Sequence, residues 1–109
     1  MEKVFDKLVR DNIPSIIENN GEVAITEILK DEDYINELYK KLLAEANEVI
    51  DSKKPIDTLE ELADVFEVLK AIAEFNGKSI DDIIEIADEK RAKRGGFGKR
   101  VFLKKTYKK

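Results

Sequence analysis

Cysteine and histidine are both absent from the 109 residues, and so is tryptophan. Disulfides, thiol nucleophiles, Ser-His triads, imidazole acid-base catalysis and zinc sites of the usual kind are therefore excluded. Any metal must be held by oxygen, which leaves Mg²⁺, Mn²⁺ or Ca²⁺. Proline occurs twice and glycine five times, and so few breakers favour long helices. No run approaches the roughly 18 apolar residues that a membrane span needs. The opening, MEKVFDKLVRDN, has no apolar stretch like that of a signal peptide. A cytoplasmic location with no membrane partner is the expectation.

Charge is what the chain has in excess. Asp, Glu, Lys and Arg make up 40% of it, against about 25% in an average globular protein. Hydrophobic residues still reach 42%, so the chain is not compositionally disordered, and amphipathic helices with solvated outer faces fit both figures. The net charge of −4 does not mark the surface as a nucleic-acid binder, and no nucleic-acid partner is expected. The charges are unevenly spread. From Lys90 to Lys109 every charged residue is Lys or Arg, while the middle of the chain is acidic. Such a basic stretch suits nucleic acid or a phosphate-bearing ligand.

The length is that of one domain, residues 1–109, able to bury roughly two thirds of its unfolded surface. Lys7 to Asn20 reads as a short first helix with Pro14 near its start, stopped by Asn19-Asn20-Gly21. Asp33 to Asp51 repeats apolar residues at helical spacing, among them Ile35, Leu38, Leu42, Ala46 and Val49. After Ser52-Lys53-Lys54-Pro55, Thr58 opens a second long helix with Glu61 three residues on, a capping-box pattern. That helix runs to Asn76-Gly77. Ser79 caps a third, from Ile80 to about Arg94, ended by Gly95-Gly96. The expected fold is all-α. Two β-leaning segments, 22–29 and 98–104, are expected to pair as a small two-stranded element beside it.

Glu45 and Glu48 stand i, i+3 on one side of their helix, Glu45 at the edge of the apolar stripe and Glu48 just beyond it. The next helix has its solvent edge at Glu60, Glu67 and Glu74. Glu61 and Asp64 are not on that edge: Glu61 lines up with Val65, Val68 and Ile72, where packing is expected. A buried carboxylate is costly unless paired, hydrogen-bonded or metal-bound. The Thr58 cap accounts for Glu61, but not for both residues. If the two helices are antiparallel, Glu45-x-x-Glu48 faces Glu61-x-x-Asp64, and four converging carboxylates suit Mg²⁺. An acidic face cross-linked to Lys and Arg is the plain alternative.

Glu45-x-x-Glu48 followed by Glu61-Leu62-Ala63-Asp64 resembles the metal-binding signature of the all-α, MazG-like nucleoside triphosphate pyrophosphatase superfamily. Lys7-Leu8-Val9-Arg10-Asp11-Asn12-Ile13-Pro14 and Lys93-Arg94-Gly95-Gly96-Phe97 resemble the two ends of a compact, phosphoribosyl-ATP pyrophosphohydrolase-like, house-cleaning subfamily. The likeness spans nearly the whole chain and departs at Ala44, where the superfamily pattern often has the first of two adjacent glutamates. It implies an enzyme that hydrolyses a nucleoside triphosphate, of a non-canonical kind, to a monophosphate and pyrophosphate. Glu45, Glu48, Glu61 and Asp64 would bind Mg²⁺ or Mn²⁺, with Glu45 or Glu48 activating the water.

Lys90, Arg91 and Arg94 continue the apolar stripe of the last helix, set by Ile80, Ile83, Ile84 and Ala87, as a basic one. Lys90, Lys93 and Arg94 are candidates for steadying phosphates, although cations are also favoured at any helix C-terminus. Lys7 and Arg10 join them by the resemblance, with Arg10 near the phosphates or paired with Asp64 or Glu61. The helix from Thr58 is too apolar all round for a monomer of this size, so a homodimer is expected. Phosphoribosyl-ATP hydrolysis in histidine synthesis, and a catalytically inactive helical dimer that binds a nucleotide or a protein partner, are the alternatives.

Overall fold

The structure is a computed structural model and describes residues 2–109. Four helices follow in order: α1 Ile13–Asn19, α2 Asp31–Asp51, α3 Pro55–Phe75 and α4 Ile80–Arg94. The fold is all-α, and among the described residues there is no strand. Residues 22–30 and 101–109 have no regular secondary structure and form no ladder. A β-prone sequence needs a packed neighbour to become a strand, and neither segment has found one within the chain.

α1 is shorter than the sequence suggests, and Pro14 is the reason. A proline ring suits the first turn, but deeper in a helix it clashes with the carbonyl four residues back. The helix therefore begins at Ile13, and residues 7–10 stay outside it. α2 begins two residues earlier than expected. Asp31, Glu32 and Asp33 fill its first turn, where carboxylates complement the helix dipole.

Pro55 also takes the start of α3, so Thr58 is not its cap. The Thr58 hydroxyl bonds back to the Lys54 carbonyl at 3.1 Å and meets Ser52 Oγ at 2.7 Å. Ser52 Oγ in turn donates to the Val49 carbonyl. The short connection Ser52–Lys54 turns α3 back along α2, giving an antiparallel hairpin. Leu38, Val68 and Ala73 are its buried residues. At its open end the rings of Tyr34 and Phe75 meet with centroids 6.0 Å apart.

Gly77, at φ 76, lets α3 end in a paired closure in which Lys78 N–H reaches the Ala73 carbonyl and Gly77 N–H reaches that of Glu74. Two residues on, Ser79 and Asp82 form a complete capping box for α4. Hydrogen bonds from the Ser79 N–H and hydroxyl hold the Asp82 carboxyl below its ordinary range. Ser79→Ala should cost about 1 kcal/mol of helix stability, read as melting of α4 by circular dichroism. The difference should shrink as pH falls through the lowered Asp82 value, because protonation weakens the carboxylate half of the box in the parent too.

One chain does not close a core around this hairpin. Its radius of gyration is 18.8 Å, where about 13 Å suits a globule of this length. Its accessible surface is 10474 Å², against roughly 6,200 Å² for a compact monomer of this mass. Leu59, Leu62, Phe66 and Leu69 form a second apolar row on α3, and all are exposed. Tyr39, Leu43 and Ile50 do the same on α2. α4 touches α3 but not α2, and from Ile83 onward it is exposed. Among the described residues no helix is long and apolar enough to cross a membrane.

Candidate metal centre

Glu45 lies six residues before the end of α2, and Glu61 lies six residues after the start of α3. Across a tight antiparallel turn, equal distances from the loop mean equal heights along the hairpin. Asp64 follows Glu61 by one turn on the same side. The result is that Glu45, Glu61 and Asp64 each offer a carboxylate oxygen within 4.8 Å of the other two, and all three are half-buried.

Glu61 stands in the inward row with Val65, Val68 and Ile72, as the helical spacing requires. Since Thr58 forms no cap, the capping role expected for Glu61 is gone. Among the described residues it makes no ion pair. Its carboxyl is raised above the ordinary range, first by desolvation against the helix pair, then by the charges of Asp64, Glu48, Glu45 and Glu60. Glu48 is exposed and lies outside the close triplet, yet its charge is felt at Glu61.

Two cations border the group. Arg10 Nη2 donates to Asp64 Oδ1 at 2.8 Å, tying the segment before α1 to α3. Of the roles open to Arg10 in the sequence, the one the structure displays is this ion pair. Lys41 Nζ stands 3.7 Å from Glu45 Oε1. Lys41 is not among the residues singled out from the motifs, and its signal in the sequence is the i, i+4 Lys–Glu spacing. Four carboxylates against these two cations leave a local charge near −2, which suits a divalent ion. The donors are all hard oxygens from two rigid helices, so the residues fit Mg²⁺ or Mn²⁺ with water completing the shell.

The other candidate phosphate ligands are not gathered here. Lys7 Nζ lies over the Phe5 ring, 5.7 Å from its centroid. Lys90, Lys93 and Arg94 are exposed on the last turns of α4 and make no ion pair with a described carboxylate. The basic continuation of the α4 stripe is real, but the apolar part before it meets α3 only near its beginning. No family model, curated protein or solved structure matches this chain.

Proposed function

We propose that this chain is a Mg²⁺-dependent nucleotide pyrophosphohydrolase that works as a homodimer. The observation that carries the reading is the convergence of Glu45, Glu61 and Asp64 from two helices, with Glu61 half-buried, unpaired among the described residues and raised in pKa. A surface acidic patch has no need to place a carboxylate in the packed row of a helix. The order and spacing of the motifs in the sequence support the same class.

Hydrolysis would join a water oxygen to the α-phosphorus and break the α–β anhydride bond, with pyrophosphate leaving. When bound, Mg²⁺ would neutralise the phosphate oxygens that gather charge in that step. Glu45, Glu61 and Asp64 would hold the cation. Glu48, outside the triplet but beside it, orients the water and takes its proton. Arg10 is close enough, through Asp64, to exchange its carboxylate for a phosphate oxygen. The homodimer is supported by the excess of exposed surface and by the second apolar row of α3.

A panel of nucleoside triphosphates, with phosphoribosyl-ATP included, should release pyrophosphate with at least one member when Mg²⁺ is present and with none after chelation. Calorimetry should record Mg²⁺ or Mn²⁺ binding, and the metal should raise the melting temperature by mass action. No divalent binding and no turnover would sink the reading. Divalent and nucleotide binding without turnover would select the inactive dimer, which Ala44 favours by removing one carboxylate from the superfamily's usual pattern.

A further inference from the structure

Residues 90–109 hold ten cations and no carboxylate, whereas residues 1–89 hold ten cations and twenty-four carboxylates. One short stretch thus carries a charge of +10 beside a body of −14. The stretch does not lie on that body. After Gly95, at φ 82, the chain leaves α4, makes one turn closed by Arg100 N–H on the Phe97 carbonyl, and continues without regular secondary structure. Phe97 is 99% exposed, and Val101, Phe102 and Leu103 are exposed as well. Phenylalanine, valine and leucine held in water beside lysines describe a surface that lacks its counterpart.

The counterpart has a matching form elsewhere in the chain. Segment 22–30 likewise has no regular secondary structure and no ladder partner among the described residues. Its Val23 and Ile25 stand two apart, and so do Val101 and Leu103. Alternate residues of an extended chain share a face. Val23 is 80% exposed and Ile25 91%. Glu22 and Glu27 border the first row, and Arg100, Lys104 and Lys105 border the second. Apart from the Glu22 N–H and the Lys30 carbonyl, the two segments make no backbone hydrogen bond among the described residues, and strand addition would pair the remaining groups.

We infer that segment 101–109 of one copy adds as a strand to segment 22–30 of a second copy, so that the homodimer is clasped by exchanged basic arms. The inference rests on the homodimer proposed above. A second copy is the occupant because one chain leaves both segments unpaired. The area agrees. The surface beyond that of a compact monomer is roughly 4,000 Å² per chain, more than the helix faces of even a large obligate interface remove from one partner. The opposite charges of arm and body also steer two copies together.

The absence of cysteine makes the test direct. Ile25→Cys and Val101→Cys chains, one carrying a size tag, are mixed and oxidised gently. A disulfide-linked heterodimer is expected on a non-reducing gel. In a separate arm, Val101→Asp/Leu103→Asp should raise the dimer dissociation constant by about 100-fold or more in sedimentation, with helicity unchanged because these side chains pack on nothing within the monomer. Parent dimers with no cross-link and an unchanged dissociation constant in the Asp variant would overturn the clasp alone. A monomeric parent would overturn the homodimer with it. An internal disulfide in the Ile25→Cys/Val101→Cys double variant would put the pairing within one chain, and tight binding of a DNA duplex by the parent but not the Asp variant would assign the arm to nucleic acid. Either result refutes the clasp.

Discussion

Glu61→Gln is expected to lower Mg²⁺-dependent pyrophosphate release by at least about 100-fold, since several kcal/mol of transition-state charge stabilisation depend on the metal. In the same variant the metal-free protein should melt at a higher temperature than the parent at neutral pH. The two effects have one cause. The charged form of Glu61 is disfavoured by partial desolvation and by the carboxylates of Asp64, Glu48 and Glu45. Glutamine keeps the shape and removes the charge. The pH dependence fixes the sign. A carboxyl raised in the folded state binds its proton more tightly there than in the unfolded chain, so its charge costs stability at and above the raised value. As pH falls through that value the parent recovers what the variant already has, and the two melting curves should converge. Lower apo stability with normal turnover would make Glu61 a structural residue.

Asp64→Asn should behave differently because, of the options the sequence left open for Arg10, the pair with Asp64 is the one formed. Asp64 is bonded to Arg10, so its charge is already balanced, and removing it strands a guanidinium. That pair is about half exposed on both sides, and exposed pairs are worth about 0–1 kcal/mol. Apo stability should therefore change little or fall slightly, while divalent binding in calorimetry weakens. An Asp64→Asn chain that binds Mg²⁺ as well as the parent would take Asp64 out of the ligand set.

What was readable in the sequence followed from periodicity. The α2–α3 hairpin, the inward place of Glu61 and the cap at Ser79 all depend on residues within one or two turns of one another. The misjudged points depend on competition between local signals. Thr58 and Glu61 have capping-box spacing, but Pro55 offers an earlier start and the longer helix wins another turn of hydrogen bonds. Pro14 likewise sets the start of α1 and leaves Lys7 and Arg10 on irregular chain. Whether segments 22–29 and 98–104 pair is a long-range question, which no local pattern answers. The same holds for Lys90, Lys93 and Arg94. Their spacing on α4 is plain, but where α4 points is set by the turn at Gly77–Ser79, beyond the reach of that spacing.

Phe66→Asp should have the largest effect on assembly. In one chain Phe66 is 45% exposed and stands between Leu62 and Leu69 in the second apolar row of α3. On a monomer surface, an aspartate there would change stability by no more than about 0.5 kcal/mol. Leu59 and Leu62 continue the row, and Tyr39, Leu43 and Ile50 present a similar one on α2. Two such hairpins packed face to face make a four-helix bundle whose core is these rows. At its centre an aspartate would be an unpaired charge in an apolar setting, which costs several kcal/mol or drives the chains apart. Sedimentation at micromolar concentration should show a parent of twice the chain mass and a monomeric variant, with the variant also melting lower because the hairpin buries little by itself. Phe66→Asp chains that stay dimeric and melt with the parent would mean that the α3 row faces water in the assembled protein. The helix-face interface would then be wrong, whatever the carboxylates do.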